Sequence, residues 1–159
     1  VTSDQSSPAP GERRRGRRGR PGRQEFAAED QSITSTTFSF RRPSSPDLEP
    51  TNANEAYPKL AEVIFKLEEL AGPEGREPSE MATVNCNAAF LPHTDSGSGK
   101  GQTTSLIVGL GDYRGGELAV EGSVHDIRYR PLEFDGWRKR HWTLPFEGER
   151  YSIVWFSPA

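Results

Sequence analysis

Residues 141–157, HWTLPFEGERYSIVWFS, decide how the chain folds. Two short runs rich in aromatic and β-branched residues, 141–146 and 150–157, read as strands, with glycine marking the break between them. His141 opens the first run. In the second, Arg150 and Ser152 stand two apart, and positions i and i+2 of a strand share a face, so guanidinium and hydroxyl project to one place. That pair suits a carboxylate. The planar fork of arginine grips a carboxylate at two points, which the single ammonium of lysine cannot do.

Moving outward, the same short β-type runs recur upstream at 81–90, 103–111, 116–121 and 126–134, which makes six after Met81. The segment 32–42, SITSTTFSFRR, is a further candidate strand, with Phe38 and Phe40 on one face. Between them, Ala56, Leu60, Val63, Ile64, Leu67 and Leu70 fall at helical spacing, so 53–70 reads as one helix that Gly72-Pro73 stops. Its Pro58 belongs in a first turn, where an amide hydrogen would have no partner anyway. Many short strands and one helix predict a mainly β domain, a sandwich or barrel with the helix packed on one sheet.

Two of the three histidines sit where chemistry would place them. In His93-Thr94-Asp95 the imidazole and carboxylate are again two apart at a strand end and converge on one point. With His141 they make two imidazoles and one carboxylate, a set that leaves coordination positions open and suits non-haem iron(II) better than zinc, which prefers a closed tetrahedron or one open position. His125 is followed by no Arg-x-Ser at short range and reads as a surface residue.

His93-x-Asp95, then Gly115-Gly116-Glu117-Leu118, then His141, then Arg150-x-Ser152 nine residues on, resembles the signature of the iron(II)/2-oxoglutarate dioxygenase superfamily. The resemblance covers residues 81–159. It implies a double-stranded β-helix of the jelly-roll or cupin type, iron(II) held by His93, Asp95 and His141, 2-oxoglutarate as co-substrate with its distal carboxylate on Arg150 and Ser152, dioxygen as oxidant, and hydroxylation of a substrate with release of succinate and carbon dioxide. Asp95 argues against the halogenating relatives, which lack that carboxylate. The strand Thr83-Val84-Asn85-Cys86-Asn87 is similar to the asparagine-bearing strands of the nucleobase-oxidising branch, which includes thymine hydroxylases and methylcytosine dioxygenases; it implies Asn85 or Asn87 as a cofactor contact and nucleic acid as one candidate substrate. Members of the superfamily use eight core strands, so residues 32–42 or an upstream part must supply what the six lack, and a truncated domain is one expectation. A catalytically inactive β-barrel binding module that uses a basic N-terminal arm to hold nucleic acid is the competing reading.

The rest of the chain adds less. With 13 Pro, 16 Gly and 32% hydrophobic residues in 159, part of the sequence has too little apolar surface to fold. That part is 1–31, an Arg-, Gly- and Pro-rich arm read as unfolded, which leaves 32–159 as one domain with its core at 81–159. Seven arginines against Asp4 and Glu12 give residues 1–24 a charge of +5, and since the chain totals −3 the remainder carries −8. Arginines in such an arm can pair with phosphates, so nucleic acid is a candidate partner. The lone Cys86 excludes an intramolecular disulfide, reads as a core thiol and fits a reducing compartment. No apolar run approaches a membrane span, and no signal-peptide core opens the sequence, so the expected location is intracellular, cytoplasmic or nuclear. Because the chain begins at Val1, a targeting segment upstream stays open. The stretch from Gly97 to Thr104 mimics a phosphate loop but has Gly101 where Ser or Thr must follow Lys100, so Ser96 to Gln102 reads as a loop beside the metal that can cover substrate.

Overall fold

The computed structural model describes residues 35–43, 49–95 and 104–158, together with the backbone of 25–27. In chain order the elements are β1 (Glu25–Ala27), β2 (Thr36–Arg41), α1 (Asn52–Ala56), α2 (Pro58–Ala71), β3 (Met81–Cys86), β4 (Ala88–Phe90), β5 (Ser105–Leu110), β6 (Tyr113–Gly115) and β7 (Leu118–Val120). There follow β8 (Ser123–His125), β9 (Leu132–Phe134), β10 (His141–Thr143), β11 (Phe146–Gly148) and β12 (Tyr151–Phe156).

A five-stranded antiparallel sheet in the order β2-β3-β12-β5-β9 faces a three-stranded one in the order β10-β7-β8; β11 pairs with β6, and β1 with β4. Strand β12, the one carrying Ser152, is central. Its alternation divides the molecule. Trp155, with Phe40, Ala82 and Leu106 across the register, points outward and packs on Ala61, Ile64 and Phe65 of α2. Val154 and its row-mate Ile107 point inward, where Ile107 joins Phe134, Leu118, Val120 and Ile127 between the two sheets. This is the mainly β, double-stranded β-helix expected, with residues 36–41 supplying an edge strand of the larger sheet.

Polar groups fasten the helix to the sheet. Trp155 is fully buried and its indole nitrogen donates to the Ile64 carbonyl at 3.1 Å. Glu68, buried on the inner face of α2, takes a hydrogen bond from the Ser79 amide at 2.9 Å, pairs with Arg42, and lies 3.5 Å from Arg76. Arg42 in turn donates to Ser79 O and covers the Phe65 ring. Asn54 plays the part of a missing strand: its amide nitrogen donates to Arg41 O and its oxygen accepts from Arg41 N, each at 2.7 Å, which closes that end of the β2 edge.

Several elements depart from the sequence reading. The single helix expected over 53–70 is two, because Tyr57 precedes proline and leaves the helical region (φ −134°, ψ 62°); Pro58 then opens α2 at its first position. The run 81–90 breaks at Asn87, which takes a left-handed conformation (φ 51°). The run 126–134 is strand only at Leu132–Phe134. Residues ahead of it form a turn, with Tyr129 at φ 54° and the segment tied to Gly109 by Gly109 N to Ile127 O and Tyr129 N to Gly109 O. Pro145 splits 141–146, so that β10 joins one sheet and Phe146 starts β11. Ten strands, β3 to β12, therefore follow residue 80 among the described residues, where the sequence reading gave six. Glu25–Ala27 pairs with Ala88–Phe90 and so is strand inside the stretch read as unfolded. The rest of the arm, and the 96–102 loop, lie outside the described residues. No described helix is long and apolar enough to cross a membrane.

Candidate metal and carboxylate site

His93 and His141 come from distant parts of the chain and meet as an antiparallel bridge: His141 N donates to His93 O at 2.9 Å and His93 N to His141 O at 3.2 Å. Register carries both side chains inward, since His141 lies opposite Val120, an inner core residue. The two rings are 4.3 Å apart between centroids, and Phe134 packs edge-on to His141 at 4.9 Å. Asp95 completes the set. Its carboxylate Oδ1 stands 3.5 Å from His93 Nε2 and 3.4 Å from His141 Nε2, and the three ligand atoms lie within 4.8 Å of one another.

The hydrogen bonds fix how these groups face one another. His93 Nδ1 is 2.6 Å from the Leu91 carbonyl, and His141 Nδ1 is 3.0 Å from the Lys139 carbonyl. A carbonyl can only accept, so in each ring Nδ1 donates its proton there, and Nε2 is the atom that faces Asp95 and would take the metal. Burial pushes the Asp95 carboxyl up, but hydrogen bonds and charge from His141 and His93 more than offset it and hold it at about 2. The carboxylate is therefore ionised at neutral pH. Spacings of 3.4 and 3.5 Å are ones that two bonds of about 2.1 Å to a single ion can bridge. The donor set, two imidazoles and one carboxylate, fits iron(II).

Gly136 makes room for the carboxylate, and no sequence motif announced it. Its carbonyl accepts from Asp95 N at 2.8 Å, and a methyl group there would run into Asp95 Oδ2 and lie 3.0 Å from the Phe134 ring. Gly136→Ala is expected to displace Asp95 and weaken metal affinity by about 10- to 100-fold, the usual cost of losing the support behind a ligand. A metal titration monitored by calorimetry measures it; unchanged affinity would mean that Asp95 does not ligate from this position.

The second half of the site is a row of polar groups on the inner face of the large sheet. Thr37, Asn85, Ser152 and Gly109 are register partners across β2, β3, β12 and β5. Thr37 Oγ1 donates to Asn85 Oδ1 at 3.0 Å, and Asn85 Nδ2 donates to Ser152 Oγ at 3.4 Å. Asn85 is thus an inward residue beside Ser152. Asn87 is not: its left-handed backbone turns the side chain onto the main chain of Arg150, where Oδ1 accepts from Arg150 N at 2.8 Å and Asn87 N donates to Arg150 O at 2.7 Å. Its side-chain oxygen is engaged by the main chain of Arg150.

Arg150 itself is 2% exposed. Its Nε and one terminal nitrogen donate to the Gly116 carbonyl at 3.2 and 3.0 Å, and the guanidinium lies against the Tyr113 and Phe146 rings, 5.6 Å from each centroid. This shows what the Gly115-Gly116 pair does. At Gly116 (φ 68°) a Cβ would fall 2.7 Å from Arg150 Nε, so glycine alone lets the guanidinium rest on the backbone. Burial pushes the guanidinium pKa down, while Tyr113 and Glu117 hold it up. Among the described residues no carboxylate forms an ion pair with it.

No family model matches the chain, and no curated protein matches it in sequence. Solved structures do match. The structure is similar to those of 2OG-Fe(II) oxygenases. One is an oxidoreductase of the 2OG-Fe(II) oxygenase family from Burkholderia pseudomallei, 20% identical with a TM-score of 0.48, the match covering 84% of this chain and 71% of that one. Another is a Pseudomonas putida prolyl-4-hydroxylase, 15% identical with a TM-score of 0.45, covering 83% of this chain and 76% of that one.

Proposed function

We propose that the chain is an iron(II)- and 2-oxoglutarate-dependent oxygenase that hydroxylates a substrate and releases succinate and carbon dioxide. The observation that carries this reading is the buried guanidinium of Arg150, which among the described residues forms no ion pair with a carboxylate and stands two residues from the inward Ser152. A buried cation with no carboxylate in contact is costly to keep, and a bound carboxylate would compensate it. A dicarboxylate with a metal-chelating oxoacid end answers to both halves of the site.

His93, Asp95 and His141 would hold the metal. Bound there, iron(II) with 2-oxoglutarate supplies the means of activating dioxygen for insertion into a C–H bond. The protein's own contribution is placement. The Nδ1 protons fixed by Leu91 and Lys139 aim the imidazoles, Asp95 supplies negative charge, Arg150 and Ser152 set the depth at which the co-substrate lies, and the apolar cluster of Ile107, Leu118, Val120 and Phe134 backs the His141 ring through Phe134.

Succinate formation is the test. Chain supplied with iron(II), 2-oxoglutarate and dioxygen is expected to release succinate even before its substrate is known, and omission of any one of the three stops it. A chain that binds 2-oxoglutarate yet never yields succinate would instead support the inactive binding barrel. For the substrate, the arginine-rich segment 13–23 makes nucleic acid our first candidate. A salt-sensitive affinity for DNA or RNA that survives deletion of residues 1–24 would remove the arm from that role.

A further inference from the structure

One turn holds two of the three residues of the metal set. Between Phe134 at the end of β9 and His141 at the start of β10, the chain crosses from the large sheet to the small one. It crosses by a single α-type turn, in which Lys139 N donates to Asp135 O at 3.0 Å. Two carbonyls of that turn serve the site. Gly136 O accepts from Asp95 N at 2.8 Å, and Lys139 O accepts from His141 Nδ1 at 3.0 Å. The backbone of 136–139 therefore sets both where Asp95 sits and how the His141 ring is rotated.

An isolated turn closed by one main-chain hydrogen bond is poorly stable, because fixing several residues costs more entropy than one bond returns. Asp135 adds the second bond. Its Oδ1 accepts from Arg138 N at 3.0 Å, the side-chain contact by which aspartate caps the first turn of a helix. Its other oxygen lies 3.8 Å from Arg138 Nε, but that guanidinium is largely exposed and the pair is screened by water. Asp135 is also outside the group whose ligand atoms converge. We infer that Asp135 is a positioning residue for the metal: by capping the turn it fixes the two carbonyls that orient Asp95 and His141, and it acts through its acceptor oxygen, not through its charge. The inference rests on reading His93, Asp95 and His141 as the metal ligands.

Three substitutions separate the cap from the charge. Asp135→Asn keeps the acceptor and removes the charge, Asp135→Glu keeps the charge but moves the oxygen one methylene further along the side chain, and Asp135→Ala removes both. Calorimetric titration of the full chain with manganese(II) is expected to give wild-type affinity for Asp135→Asn, since asparagine and aspartate cap equally well. Asp135→Glu and Asp135→Ala should each bind about 10-fold more weakly, the lower end of the range for losing the support behind a ligand. A second readout needs no metal: the His141 Nδ1 proton, bonded to Lys139 O, should give a sharp imidazole N–H resonance in the wild type and Asp135→Asn, and a broadened one in Asp135→Glu and Asp135→Ala. The Asn and Glu variants decide the matter even where the Ala variant does not fold. Asp135→Asn binding manganese as weakly as Asp135→Glu, or more weakly, would overturn the inference, and so would wild-type affinity in all three; either result leaves the metal reading standing. If the wild type itself binds no manganese, the metal reading falls and this inference with it.

Discussion

Asp95→Ala is expected to abolish tight metal binding and to reduce 2-oxoglutarate-dependent succinate release to background. The reason lies in what each ligand contributes. An imidazole brings no negative charge to a metal, so Asp95 supplies the only negative charge in the set. The folded protein holds that carboxyl at about 2, burial opposing and the two imidazoles prevailing, so the charge is in place before any cation arrives. Losing it should cost more affinity than the 10- to 100-fold expected for a supporting residue. The fold should survive, because the His93–His141 bridge is made by main-chain atoms and does not need the carboxylate. A metal titration and a succinate assay on the same preparation read both effects, and wild-type values in either would remove Asp95 from the site.

The largest loss of stability is expected from Glu68→Ala. Glu68 is the anion between Arg42 and Arg76, all three well shielded from water, and it also accepts from the Ser79 amide. Deleting it leaves two guanidinium groups with less compensation under the helix, and breaking a buried pair in this way costs about 3–5 kcal/mol. Domains of this size are stable by about 5–15 kcal/mol, so the unfolding midpoint should fall by on the order of 10 °C or more. The exposed Lys66–Glu69 pair on the same helix provides the contrast: Lys66→Ala should change stability by less than about 1 kcal/mol, because water screens it. Thermal unfolding of the two variants beside the wild type decides the matter. A Glu68→Ala protein as stable as Lys66→Ala would mean that α2 is held by its apolar face alone.

Much of this site was legible in the sequence because its parts obey the two-residue period of a strand. His93 with Asp95, and Arg150 with Ser152, are each local i, i+2 pairs, although of the four only Ser152 lies within a strand: His93 forms an isolated bridge, Asp95 follows it and Arg150 precedes β12. Asn85 was legible for the same reason, lying opposite Ser152 in the register. Asn87 should have shared that face, but its backbone leaves the strand region, which no local pattern disclosed. The helix was readable from its apolar spacing, and its division at Tyr57 follows from Pro58, although the sequence reading extended one helix across it. Gly136 and Gly109 were not legible as parts of the site, and Gly116 was legible as part of the Gly-Gly-Glu-Leu stretch but not for what it touches. Each matters only because a side chain from elsewhere in the chain lies against it: Asp95, Tyr113 and Arg150 respectively. Tyr113 is the plainest case. In the sequence it is one aromatic in a turn-rich segment, and the approach of its hydroxyl to Gly109 exists only once the chain has folded.

The central claim, one metal held by His93, Asp95 and His141, is tested most directly by crystals of the chain soaked with manganese(II) or iron(II) and measured at the metal's absorption edge. The account predicts a single anomalous peak within bonding distance of His93 Nε2, His141 Nε2 and an Asp95 carboxylate oxygen, absent in Asp95→Ala crystals. A wild-type crystal with no peak at that point, or with its peak on other residues, would contradict it.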